Sequence, residues 1–188
     1  LDGESRTFLR QIIDGAVQMD QLIDALLEFS RTTRTEPSFG EVNLETLLDE
    51  TLVLLHSALE DRDIEWRRSA LPTVRGDKTL LGKVFVNLLS NAIKYTRTRE
   101  PALIEIGARR EREHEIVVFV RDNGAGFDMR YSERLFGVFQ RMHRADEFEG
   151  TGIGLATAQL IVTRHGGSIW ADAEVGRGAT FFFSLPLI

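Results

Sequence analysis

Cysteine is absent from the 188 residues, which excludes disulfides and thiolate metal sites and leaves a reducing compartment permitted. Histidine is scarce. His56, His114, His143 and His165 lie far apart, with no zinc-ligand spacing among them. Long apolar runs are missing as well. No stretch approaches the roughly 20 residues a membrane span needs, and no signal-peptide pattern opens the chain, so this segment is expected to make no membrane contact and to be cytoplasmic. Positive charge is in deficit, with 23 basic against 29 acidic residues and a net charge of −6. That balance argues against a general nucleic-acid partner.

The length suits one ordinary domain plus an appendage. Residues 5–34 read as one long helix, in which Leu9, Ile12, Ala16, Met19, Ile23 and Leu26 alternate at spacings of three and four. That is the seam of a helical bundle, widened by Ile13 and Leu27. Glu36, Pro37, Ser38 and Gly40 then break the pattern, so the helix is an appendage whose bundle partner is expected outside this chain. The abrupt helical start also reads as a piece of something longer.

After the break the pattern turns α/β. Asn43 can cap a helix carrying Leu44, Leu47, Leu48, Leu52, Leu55 and Leu59, and Asp77 a second one reaching about Tyr95. A short strand surrounds residues 64–66. Residues 103–109 and 115–121 alternate as a hairpin, and 168–173 and 179–185 form another around Gly176 and Gly178. A third helix occupies 154–164. The polar stretch 128–149 is long for a loop and reads as a lid or disorder. The expected sum is an α/β two-layer sandwich, a mixed sheet of about five strands covered on one face by three helices.

Three stretches carry candidate chemistry. "NLLSNAIKYT", residues 87–96, places Asn87, Asn91 and Lys94 within roughly 60° of one another on a helix, opposite an apolar face. Either this is a solvated surface, or two amides and an ammonium are set for Mg²⁺ and phosphate, since paired Asn is a poor helix former and an amide oxygen is a hard ligand. "RDNGAGFD", residues 121–128, puts Asp122 where strand alternation stops. It is either an ordinary turn or a carboxylate accepting a hydrogen bond from a base amine, with Gly124 and Gly126 keeping the backbone bare. "EFEGTGIGLA", residues 147–156, spaces Gly150, Gly152 and Gly154 at every second position before a helix. It lacks the spelling of a P-loop or a dinucleotide fingerprint, which leaves phosphate contact or a flexible turn.

The order of these stretches resembles the ATP-binding domain of sensor histidine kinases, within the superfamily that includes gyrase, heat-shock-90 and mismatch-repair ATPases and shares the Bergerat-type fold. "NLLSNAIKYT" is similar to the N box, "DNGAGF" to the first glycine box, "LFGVFQR" to the Phe box and "GTGIGLA" to the second glycine box. Residues 41–188 then correspond to the catalytic domain, and residues 1–36 to the second helix of the dimerisation and histidine-phosphotransfer bundle. "FQRMHRADEFEGTGIGLA" is closest in wording to phytochrome-type kinases.

The resemblance implies ATP and Mg²⁺ as cofactors, with Asn91 as the metal ligand and Asn87 supporting the phosphate end. It implies Lys94 facing the phosphates, Tyr95 bordering the pocket, and Asp122 reading adenine with Gly124 and Gly126 beside the base. Arg141 in the lid corresponds to a phosphate-contacting arginine and Thr180 to a threonine at the adenine end. Gly150, Thr151, Gly152, Gly154 and Leu155 would fold the lid onto the triphosphate, with Phe136 and Phe139 as lid anchors. Implied partners are a homodimeric bundle and a response regulator. The family's acceptor histidine has no match here, because His114-Glu115 sits in a hairpin with no proline after it. The phosphorylated histidine is therefore expected outside this chain. Two other functions stay open on sequence: a gyrase-like ATP-driven machine, and a nucleotide-sensing scaffold without kinase activity.

Overall fold

A computed structural model describes residues 3–59, 62–143 and 147–187. Helix α1 spans Gly3–Arg34. Its apolar stripe faces outward, with Ile12 68 % and Met19 61 % exposed. Among the described residues the helix meets the rest of the chain towards its C-terminal end. There the Glu28 carboxylate lies 3.0 Å from Lys83 Nζ, and Arg164 Nη1 donates to the Thr32 carbonyl at 2.5 Å. A cation on those last carbonyls satisfies acceptors that no helix can satisfy for itself.

A two-stranded sheet follows that the sequence pattern did not reveal. Strand β1 (Gly40–Asn43) runs antiparallel to β3 (Thr73–Gly76). Between them lie α2 (Leu44–Leu54), a 3₁₀ turn at His56–Leu59 and β2 (Ile64–Arg68). Asn43 caps α2, its side-chain oxygen accepting from the Thr46 amide at 3.0 Å. Helix α2 thus ends five residues before Leu59, where the apolar stripe suggested a continuous helix.

Asp77 caps α3 (Lys78–Tyr95) by accepting from the Leu80 amide at 3.0 Å. Its other oxygen accepts from the Ser38 amide at 2.7 Å, which docks the linker after α1. Strands β4 (Ala102–Arg112) and β5 (Glu115–Asp122) form the first hairpin. Helix α4 (Gly154–Arg164) and the hairpin β6 (Ile169–Glu174) and β7 (Gly178–Pro186) complete the chain. The main sheet has the order β2-β4-β5-β7-β6, with β2 parallel to β4 and the other pairs antiparallel.

Helices α2, α3 and α4 cover one face of this sheet, as the alternation implied. Leu48, Leu81, Phe85, Leu88, Ile104, Ile106, Ile161 and Phe183 are fully buried between the layers, each worth roughly 1.5–3 kcal/mol over exposure. His165 is part of this core. Its Nδ1 donates to the Ile161 carbonyl at 2.8 Å while Nε2 accepts from the Asp77 amide at 3.0 Å, so one neutral tautomer joins the end of α4 to the start of α3. The opposite face of the sheet carries Trp170 stacked on Phe182 at 5.4 Å. Among the described residues no helix is long and apolar enough to cross a membrane.

Candidate functional site

Helix α3, the end of β5, the start of β7 and the segment before α4 surround one cavity of about 230 Å³. Twelve of the fourteen residues named from the sequence line it: Asn87, Asn91, Lys94, Tyr95, Asp122, Gly126, Arg141, Gly150, Thr151, Gly152, Gly154 and Leu155. The helical period explains the first three. Leu81, Phe85, Leu88, Leu89, Ala92 and Ile93 are buried on the other side of α3, which leaves the amides and the ammonium turned to the cavity. That face therefore lines a pocket rather than open solvent.

Asn87 is held in one orientation. Its Nδ2 donates to the Lys83 carbonyl at 2.9 Å, so its Oδ1 points at the start of α4, where a Cβ on Gly154 would come within 2.4 Å of it. A side chain there would have to displace the Asn87 amide. Ile153 offers no side-chain cap to α4, so the first amides of that helix have no capping side chain at the cavity, an arrangement suited to anions.

At the other end, the Asp122 carboxylate is 5 % exposed and accepts from the Gly124 amide at 2.8 Å. Burial pushes its pKa up to about 6, against the backbone amides of Gly124 and Ala179 and the charge of Arg99, which favour the ionised form. The glycines after it are steric necessities. A Cβ on Gly126, whose φ is +61°, would lie 2.0 Å from the Glu174 carbonyl. Gly124 does not reach the cavity surface. It sits one layer behind, where a Cβ would lie 2.5 Å from the Tyr95 carbonyl.

Thr180 does not line this cavity. Strand alternation turns it to the helix-free face of the sheet, where its Oγ1 accepts from Arg121 Nε at 3.2 Å. Its neighbour Ala179 lines the cavity instead and supplies an amide to Asp122. Its bond to Asp122 is made by the backbone, so no polar side chain marks it in the sequence.

The lid contributes its own groups. Lys94 Nζ donates to the Glu149 carbonyl at 3.1 Å, Arg141 donates to the Phe148 carbonyl, and Arg97 Nη2 pairs with the Glu149 carboxylate at 3.0 Å. The rings of Tyr95, His143 and Phe148 meet pairwise with centroids 4.9 to 5.1 Å apart. These contacts keep the cavity below the roughly 300–1,000 Å³ usual for small-molecule clefts. Burial, followed by the positive charge of Arg141, brings Lys94 down to about 8, with Glu149 opposing. Burial likewise lowers His143 and raises Tyr95.

Of the two expected lid anchors, Phe136 packs against the core but Phe139 is 54 % exposed at a φ of +64°. Leu135, buried and facing the cavity, takes the second anchoring place. Arg144, which the sequence sets beside His143 in the lid, lies outside the described residues, as do residues 145 and 146.

Among the described residues no three His, Asp or Glu side chains converge as a metal cluster. Asn91 offers a neutral amide oxygen at a cavity that Lys94 and Arg141 also line. That fits Mg²⁺, which takes few protein ligands and completes its shell with water and phosphate oxygen.

Residues 76–188 match the family model described as histidine kinase-, DNA gyrase B-, and HSP90-like ATPase. Cyanobacterial phytochrome A of Nostoc sp. is 38 % identical over 187 residues, which is 100 % of this chain and 24 % of that protein. Full-length ShkA in complex with AMPPNP superposes with a TM-score of 0.75 at 26 % identity, over 99 % of this chain and 39 % of that one. The catalytic domain of the histidine kinase ThkA gives 0.66 at 28 % identity, over 79 % of this chain and 97 % of that domain. The chain spans about a quarter of the length of the curated relatives it matches first.

Proposed function

This chain belongs to the histidine kinase-, DNA gyrase B- and HSP90-like ATPases, and from that premise we propose that it supplies the ATP-holding half of a sensor histidine kinase. In this reading residues 41–188 bind Mg·ATP and present its γ-phosphate to a histidine carried by a bundle helix outside the chain. Residues 1–36 are the second helix of that bundle, and a second copy of the protein completes it. The observation that carries the proposal is the single cavity at which the Asn face of α3, the buried Asp122 and the glycine-rich start of α4 meet.

Phosphoryl transfer asks a protein for positioning and charge neutralisation more than for a base. Asp122 accepts a hydrogen bond from the exocyclic amine of adenine, and Gly126 lets the base lie against the backbone. Tyr95 borders the base, and Asn87 and Lys94 face the phosphates. Arg141 and the amides of Gly152 and Gly154 close over them, with Thr151 and Leu155 shaping the wall. Asn91 would hold Mg²⁺, whose charge when bound offsets that of the phosphates. Gly150 carries no Cβ where one would stand 3.3 Å from Lys94 Nζ, so the lid can pass close to that cation.

None of the four histidines suits the nucleophile's place. His165 has both ring nitrogens engaged, His56 lies in the 3₁₀ turn after α2, and His114 lies between β4 and β5. His143 is held in the ring cluster with Tyr95 and Phe148. A downstream response regulator receives the phosphoryl group in turn.

The test is a transfer assay with γ-labelled ATP. The chain alone should stay unlabelled, and an added fragment bearing the first bundle helix should take up acid-labile label. Label on the isolated chain that disappears in His143→Gln would sink the reading. Steady hydrolysis of ATP without an acceptor would favour a gyrase-like machine instead.

A further inference from the structure

Three separate segments meet behind the buried carboxylate: the α3–β4 connection, the turn after β5 and the tight turn joining β6 to β7. One side chain ties them together. Arg99 Nη2 donates to the Gly124 carbonyl at 3.0 Å and to the Gly176 carbonyl at 2.6 Å. Its Nε is buried and makes no hydrogen bond, so this attachment runs through the outer nitrogen of the guanidinium. Gly124 is in turn the residue whose amide donates to Asp122 Oδ1. The same peptide segment is thus gripped from behind by Arg99 while it grips the carboxylate in front.

We propose that Arg99 is a positioning residue for nucleobase recognition, fixing through Gly124 the direction in which Asp122 presents its acceptor oxygens. The proposal rests on the reading of Asp122 as the base acceptor. Surrounding bonds narrow the role. The Ala125 amide donates to the Tyr95 carbonyl at 3.1 Å and the Gly176 amide to the Ala125 carbonyl at 2.7 Å, so the turn is already tethered on both flanks. Asn123 is anchored separately, accepting from the Leu103 amide at 2.9 Å. What Arg99 adds is the carbonyl of Gly124 itself, and with it the tilt of the following peptide. Its charge also favours the ionised form of Asp122.

A merely structural arginine would weaken every ligand alike when removed. A positioning one acts on the base alone, because guanine offers a carbonyl where adenine offers an amine. The experiment is titration calorimetry with Mg·ATP, Mg·GTP and inorganic tripolyphosphate on the wild-type chain, Arg99→Met, Arg99→Lys and Asp122→Asn, with thermal melts alongside.

Arg99→Met should cut the ATP-over-GTP affinity ratio about tenfold and leave tripolyphosphate binding as it was. Arg99→Lys, which keeps a shorter donor, should fall between it and the wild type. An unchanged ratio in Arg99→Met, with the ratio collapsed in Asp122→Asn, overturns the role of Arg99 and leaves Asp122 standing. An unchanged ratio in Asp122→Asn removes the base-reading assignment and this proposal with it. Equal losses for ATP and tripolyphosphate would show a structural role only. Should Arg99→Met fail to fold, a wild-type ratio in Arg99→Lys overturns the proposal.

Discussion

The two ends of the cavity are built differently. Around Asp122 the contacts are largely backbone to backbone or backbone to carboxylate, tied from behind by Arg99, and glycines at 124, 126 and 178 allow approaches that no Cβ could survive. Around Lys94 the contacts are long side chains reaching lid carbonyls, as in the bonds from Lys94 to Glu149 and from Arg141 to Phe148. The first kind breaks only when the fold breaks. The second opens by rotating a few side chains, at low free-energy cost. One end is therefore a fixed template, and the other has partners that a triphosphate can replace one for one.

The strongest way to break this contrast is a methyl group. Gly126→Ala should lower unfolding stability by about 3 kcal/mol, from the clash with the Glu174 carbonyl together with the positive φ. Gly150→Ala beside the lid meets only the movable tip of Lys94, though at a positive φ of +144°, and should cost less, about 2 kcal/mol. Urea denaturation of both variants checks this, and equal losses would erase the distinction.

Next in size is the metal. Asn91→Ala should weaken Mg·ATP by about 100-fold while metal-free nucleotide binding changes little, as calorimetry with and without Mg²⁺ would read. A smaller effect concerns pH. The folded pKa of Asp122 is raised to about 6, so its carboxylate is protonated below that value and ionised above it. Recognition of the adenine amine needs the ionised form. ATP affinity should fall as pH drops through about 6, by at most about tenfold per unit, and Asp122→Asn should flatten that limb.

Lys94 works in the opposite direction. Its pKa is lowered to about 8, so its cation and the affinity it lends are lost as pH rises through that value. The subtlest difference should appear in hydrogen exchange. Amides at Gly124, Ala125 and Gly176 are bonded before any ligand arrives, so ATP should slow them little. Lid amides across 128–149 should slow several-fold, and strong protection there without nucleotide would contradict an opening lid.

The fold and most of the site were legible because their signals are side-chain signals. A helix that spends Asn87 and Asn91 where better helix formers would serve announces a use for amides. An aspartate at the end of an alternating strand announces a carboxylate at the end of the sheet's strands. What escaped was carried by backbone. Strands β1 and β3 have four residues each, too short for alternation to stand out. Thr180, carried over from the resemblance, faces away from the cavity because the period of a strand is two, and one residue of offset reverses the side. Ala179 and the carbonyl partners of Arg99 leave no trace in residue type at all.

Helix α1 is a rod of 32 residues, roughly 48 Å long, clamped near one tip by Glu28–Lys83 and Arg164–Thr32. Such a rod is a lever with a short arm and a long one. A tilt of about 10° at the clamp carries the far tip about 7 Å. Lys83 belongs to the helix that bears Asn87, and Arg164 to the helix that begins at Gly154. Torque applied along the rod is thereby delivered to the two walls that would grasp the phosphates.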